Sequence, residues 1–340
     1  MPIKAEITAD SFNPAGCRLT TFVLEYPRFV HAELMTHRVF SKNAASSRAI
    51  PIEKMIEQVQ INPALPVWWG KNQSGMQANQ ELDNTIKNTY FLPKALPEYN
   101  EFSNGGGYSS ELGHYFTYLL TDLEIAKVQW LQARDKAIES VEILNKIGLH
   151  KQIANRILEP WFHIKIILSG TEFENWFALR AHKDAQPEIR ALAEKMLEIY
   201  NASEPKYLKE GEWHIPFGER IDDIRLLKTL SEINGDWAAS PAQLEESRKK
   251  ISIARCARIS YLNYEGKDDY AADIKLCDRL SANNPKHLSP TEHIAQAQKN
   301  SDWNGNFRGF LQYRKFFKDE NLSDSRVLKK FKSQKISDTP

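Results

Sequence analysis

Twelve consecutive positions, His37-Arg38-Val39-Phe40-Ser41-Lys42-Asn43-Ala44-Ala45-Ser46-Ser47-Arg48, gather an imidazole, four neutral hydrogen-bonding side chains and two guanidinium groups. Arginine suits a phosphate because its planar fork donates paired, charge-assisted hydrogen bonds. The same residues also read as a polar helix terminus, with Ser and Asn as caps. Two further arginines keep similar company, Arg156 in Ala-Asn-Arg-Ile-Leu-Glu-Pro and Arg180 at the end of Glu174-Asn175-Trp-Phe-Ala-Leu-Arg. Taken alone, Arg180 reads as the partner of Asp184 in a surface ion pair. Downstream lie Ala257-Arg258-Ile259-Ser260 and His287-Leu288-Ser289-Pro290-Thr291-Glu292-His293, which read locally as a helix-terminal serine and a Ser-Pro turn. Gly309-Phe-Leu-Gln312-Tyr-Arg314 reads as an aromatic packing surface with a solvated basic side.

These groups need elements to hold them. Strands are predicted over Lys4 to Phe12 and Cys17 to Tyr26, with Asn-Pro-Ala-Gly as the turn between them. From Arg28 to about Phe40 the apolar residues recur at helical spacing behind Pro27. On such a helix His37 and Ser41 share a face, and its end delivers Ser46, Ser47 and Arg48 to one pocket. Helices are also predicted between Leu112 and Leu149, over Ile189 to Tyr200, around Ile251 to Ser260 and over Tyr270 to Ala282, with an apolar segment from Ile153 to Leu168. Glu204 to Asp236 reads as a polar connection. Residues 1–322 are expected to form a single catalytic domain with an irregular insertion at about 58–108, followed by a charged tail at 323–340.

Composition narrows the function classes. A formal net charge of +1 lacks the basic excess of a protein held on nucleic acid by counterion release. Three scattered cysteines, in no metal-ligand spacing, suit a reducing compartment better than a disulfide scaffold, and no metal is expected. No apolar leader core or membrane-length apolar run is present, so a cytoplasmic protein is expected. No strand followed by a Gly-rich helix start supports a Rossmann or P-loop reading.

The first cluster resembles the signature of flavin-dependent thymidylate synthases, Arg-His-Arg-x-x-Ser-x-Asn-x-x-Ser-x-Arg. His37, Arg38, Ser41, Asn43, Ser46 and Arg48 fall on its fixed positions, while Thr36 stands where its first arginine would be. Asn175 to Arg180, followed by Ala185-Gln186-Pro187-Glu188-Ile189-Arg190, is similar to a second block of that family, and Arg156 resembles another of its nucleotide-binding arginines. The Ser260 and Ser289 to Glu292 segments look like stretches that usually precede the signature, so the resemblance is to a circularly permuted member, feasible where ancestral termini lie close together.

The resemblance implies an α+β fold with helices packed on a central antiparallel sheet, in permuted order. It implies reductive methylation of dUMP to dTMP with FAD, and with NADPH and methylenetetrahydrofolate as co-substrates. Ser46, Ser47, Arg48, Arg156 and Arg180 would bind dUMP, with Arg180 as the catalytic group at the uracil ring. His37, Arg38, Ser41, Asn43, Asn175, Ser260, Ser289 and Glu292 would bind FAD. A homotetramer with active sites between subunits follows for partners, and the Gly309 to Arg314 stretch is a candidate substitute for the arginine missing at Thr36. Three rivals stay open: a flavin enzyme modifying uracil in another nucleotide or polynucleotide, a non-enzymatic nucleic-acid-binding module, and a degenerate family member retained for assembly.

Overall fold

Both faces of the segment Arg18–Pro27 are buried, which places it inside a sheet rather than at its edge. The computed structural model of the chain describes residues 3–92, 108–109, 116–235, 239–260, 268–283, 286–318 and 320. The expected tail at 323–340 and part of the expected insertion lie outside them. The first strands are β1 (Lys4–Phe12) and β2 (Arg18–Pro27), an antiparallel hairpin. Its turn is an Asx type: Asn13 Oδ1 accepts from the amides of Ala15 and Cys17, and Gly16 takes φ +78°.

After one 3-10 turn comes a short helix α1 (His31–Met35), then β3 (Ser41–Ala44) and α2 (Ile52–Ile61). The helix predicted to reach Phe40 therefore stops at Met35. Lys42 Nζ donates to the carbonyls of Leu34 and His37, and the Thr36 hydroxyl donates to that of Glu33, satisfying the carbonyls a helix would have used. His37 and Ser41 consequently do not share a helical face; Ser41 and Asn43 share a strand face instead. Within the stretch expected to be irregular lies β4 (Ile86–Leu92), which pairs with β6 (Phe116–Thr121), as does β5 (Tyr108–Ser109). The helix predicted from Leu112 begins only after β6, as α3 (Asp122–Lys146), because Thr121 and Glu124 close a reciprocal capping box.

Helix α4 (Lys151–Ala154) and a 3-10 segment (Asn155–Trp161) precede β7 (His163–Gly170), then α5 (Glu174–Arg180) and α6 (Pro187–Ala202). The predicted polar connection contains β8 (Lys206–Tyr207), β9 (Trp213–His214) and α7 (Asp223–Asn234). Next come α8 (Pro241–Ile259) and α9 (Tyr270–Ala282), close to the predicted helices, and then β10 (Ala295–Ala297), β11 (Trp303–Asn304), β12 (Phe307–Arg308) and β13 (Phe310–Gln312).

The main sheet runs β3-β7-β2-β1-β8, antiparallel except for β8, which adds parallel to β1. Alternation along β7 splits the interior in two. Ile164, Ile166 and Leu168 join the larger core with residues of α2, α3 and α6. Ile167 faces the other way, into a core built with α8 and α9. The chain is thus a mixed α/β structure whose last third covers the face opposite the larger core. Among the described residues no helix is long and apolar enough to cross a membrane.

Candidate active site

Strand β3 forms an edge of the main sheet, and its two ends and inward face carry nearly every residue singled out from sequence. At its leading end, Trp176 and Arg180 sit one turn apart on α5, and both meet His37. The Trp176 ring lies edge-on to the imidazole at 4.8 Å, and Arg180 Nε donates to His37 Nε2 at 3.1 Å. The other side of the guanidinium donates to Thr36 Oγ1 at 3.3 Å. Because Nε2 accepts, the imidazole proton resides on Nδ1. Burial holds the His37 pKa below its ordinary value, and the nearby charges of Arg180 and Lys42 push the same way. Arg180 is therefore gripped by two neutral acceptors and has no carboxylate partner among the described residues. Asp184 stands instead 3.5 Å from His182.

The inward face of β3 meets the last third of the chain. Ser41 Oγ accepts from Asn306 Nδ2 and Gln312 Nε2, each at 2.9 Å. Asn43 Nδ2 donates to Ser289 Oγ at 3.3 Å, and Asn43 Oδ1 faces His293 Nε2 at 3.4 Å. Glu292 is gripped by Arg314, and its backbone carbonyl accepts from Gln312 Nε2 at 3.1 Å. Arg314 therefore serves Glu292, while Arg180 meets Thr36 at the position of the missing arginine. Just past the strand, the Ser46 amide donates to the carbonyl of Ser260 at 3.1 Å. Segments more than 200 residues apart in sequence are thus joined at one strand edge.

The trailing end of β3 is organised by Glu159. Its Oε1 accepts from Ser47 Oγ at 2.6 Å and from Arg156 at 2.7 Å. Ser47 therefore commits its one proton to Glu159, and Arg156 carries a compensating carboxylate. Asn155 Nδ2 fixes the turn by donating to the carbonyls of Ser47 and Ile50 at 2.8 and 2.9 Å. Arg48 is exposed here. Within one chain no described contact joins Arg48 or Arg156 to Arg180, and β3 alone separates them by about 10 Å at the usual strand rise. Arg38 and Asn175 are exposed near the leading end. Like Arg180, Arg38 and Arg48 have no carboxylate partner among the described residues, so a locally positive edge is left on a nearly neutral chain.

The donor set fits a flavin nucleotide. Neutral amide and hydroxyl groups at Asn43, Ser289 and Ser260 match ring carbonyls and nitrogens, and the Arg38 guanidinium matches a pyrophosphate. A separate cavity of about 470 Å³ lies against β1 and β8, lined by groups including Asp10, Lys206, Trp213 and Arg220, and contains none of these residues. Sequence reasoning passed over Glu159, His293 and Gln312 although each stands inside a quoted segment. Only their partners, far away in sequence, distinguish them. His214 lies in a stretch with no signal at all.

No curated protein matches the chain. The family described as thymidylate synthase complementing protein matches residues 17–206, 190 of the 340 residues, a span that includes β3, α5 and the Arg156 turn. The chain belongs to that family, whose activity is flavin-dependent thymidylate synthesis.

Proposed function

We propose that this chain is itself a thymidylate synthase that converts dUMP to dTMP, binding FAD and using NADPH and methylenetetrahydrofolate as co-substrates. The observation that carries the reading is Arg180, a guanidinium held, among the described residues, by the neutral side chains of Thr36 and His37 and so left with its full charge for an anion. Carbon 5 of uracil is a poor nucleophile unless a thiol adds to the ring or its carbonyl oxygens are polarised. No thiol here suits the first route, because burial raises the pKa of Cys17 and Cys256 and pushes that of Cys277 up to about 12. Arg180 suits the second, since a preoriented cation stabilises negative charge developing on the ring oxygens. Neutral His37 orients that cation without competing for it. When bound, the cofactors supply the hydride and one-carbon chemistry, which side chains cannot.

Arg48 and Ser46 would take the nucleotide phosphate, with Arg156 beside them, while Arg38, Asn43, Asn175, Ser260, Ser289 and Glu292 would hold FAD. The separation of Arg48 from Arg180 along β3 favours a composite site in which a second copy of the chain supplies one of the two, in a homotetramer. The contacts of β3 with Ser260 and Ser289 support the permuted reading, because residues expected before the signature reach it from behind. The visible spectrum tests the assignment: the purified protein should show bound flavin absorbance that shifts on adding dUMP. A colourless protein that takes up no added FAD contradicts it.

A further inference from the structure

Beneath Asn43 a line of hydrogen bonds crosses four of the five strands of the main sheet, from β1 to β3. Ser11 on β1 meets His214 Nδ1 at 3.0 Å, and His214 Nε2 meets Thr21 Oγ1 on β2 at 2.8 Å. Thr21 meets Ser169 on β7 at 2.7 Å, and Ser169 meets His293 Nδ1 at 2.8 Å. His293 Nε2 then reaches Asn43 Oδ1, whose amide nitrogen donates to Ser289. Every member but Ser289 is buried, in a region where most side chains are apolar. Placing so many polar groups there is costly unless each one has its partner.

The chemistry of one member fixes the direction of the rest. Asn43 Oδ1 can only accept, so His293 must carry its proton on Nε2 and accept on Nδ1 from the Ser169 hydroxyl. Ser169 then accepts from Thr21, Thr21 accepts from His214 Nε2, and His214 Nδ1 accepts from Ser11. Each bond runs one way, toward β3, and successive bonds of one sense polarise one another. Burial keeps both imidazoles neutral, the His214 pKa falling to about 4 and that of His293 to about 3, as a single direction requires. Ser11 borders the cavity at the far edge of the sheet. The line is nonetheless no proton conduit, because a carboxamide at Asn43 does not pass a proton on as a hydroxyl or imidazole does.

We infer that His293, backed by Ser169, Thr21 and His214, is a positioning residue for the FAD site: it locks the Asn43 carboxamide so that Ser289, already accepting from Asn43, turns its own proton outward to a cofactor acceptor atom. The inference rests on the flavin reading given above. It explains why imidazoles are buried behind a site whose exposed groups are hydroxyl, amide and guanidinium.

Nitrogen NMR of the wild-type chain tests the direction without any cofactor: both His214 and His293 should be Nε2-protonated and neutral. An Nδ1-protonated or charged His293 overturns the inference. FAD affinity tests the consequence. His293→Gln keeps a donor near the Nε2 position and should bind FAD within about threefold of wild type, whereas His293→Asn keeps only the Nδ1 side and should bind about tenfold more weakly, one lost hydrogen bond's worth. Ser289→Ala, at the exposed end where refolding is not at stake, should weaken FAD similarly, and adding His293→Asn to it should change little further. Equal affinities for Gln and Asn, or additive losses, overturn the positioning role while the flavin reading stands. Wild-type protein that binds no FAD overturns both.

Discussion

At the scale of single residues, Thr36 and Arg180 are most informative. Where the family signature has an arginine next to its histidine, this chain has a threonine whose hydroxyl touches the Arg180 guanidinium. Arg180→Ala should lower kcat/KM for dUMP by about 10² to 10³, the range typical for loss of a charge-stabilising donor, while bound flavin remains. The same change should raise the His37 pKa, because the Arg180 charge is one of the causes holding it down. Proton NMR titration of His37 reads this, and an unchanged titration would contradict the contact. Arg180 stood out in the sequence only through the resemblance of its block to the family, since residue type and spacing alone read as a surface ion pair with Asp184. Glu159 and His293 did not stand out, since a carboxylate or imidazole within a short segment gives no sign of the partner it will meet.

At the scale of elements, several long regular pieces could be read, the helix α7 was taken for a polar connection, and short borrowed strands could not be read. The β1–β2 hairpin announces itself by its Asn-Pro-Ala-Gly turn, and α6 by apolar residues at three- and four-residue intervals. Strand β3 does not, because Ser-Lys-Asn-Ala has little intrinsic strand preference and becomes extended only by pairing with β7, more than 120 residues later. The segment behind β3 is fastened in the same non-local way. Asn13, in the first hairpin turn, donates to the carbonyls of Gln298, Asn300 and Gly309, each at 2.9 Å. Gly309 has φ +74°, and a Cβ there would stand 2.4 Å from Asn13 Nδ2 and 3.0 Å from the carbonyl of Asn300. Gly309→Ala should therefore cost about 2–3 kcal/mol through backbone strain and the clash together, and should loosen Gln312 from Ser41. Urea unfolding gives the first quantity and flavin retention the second. A variant as stable as wild type would show that this junction does not fasten the last third of the chain to the sheet.

At the scale of the whole molecule, a sheet with two cores brings the first strands together with the segment around residues 289–312, and the buried polar line between them makes stability depend on pH. His214 and His293 are neutral in the fold, with pKa values near 4 and 3, whereas in the unfolded chain each takes up a proton near pH 6.5. Their contribution to stability is thus fully present above about pH 6.5 and is lost as pH falls toward their folded values, at about 1.4 kcal/mol per pH unit for each imidazole. Urea midpoints at pH 7.5, 6 and 5 should fall in that order, and a flat profile would mean the imidazoles are not buried neutral. Convergence of the nucleotide residues is what the resemblance implies, and no described contact within one chain joins Arg48 or Arg156 to Arg180. Within one chain Arg48 and Arg180 lie beyond opposite ends of β3, and the proposed composite site would have to bring them to one nucleotide. Turnover is the most direct test of the central claim. Purified protein given dUMP, methylenetetrahydrofolate, NADPH and FAD should accumulate dTMP over many turnovers and make none without FAD, whereas flavin oxidation with no dTMP, or dTMP formation independent of flavin, would contradict the account.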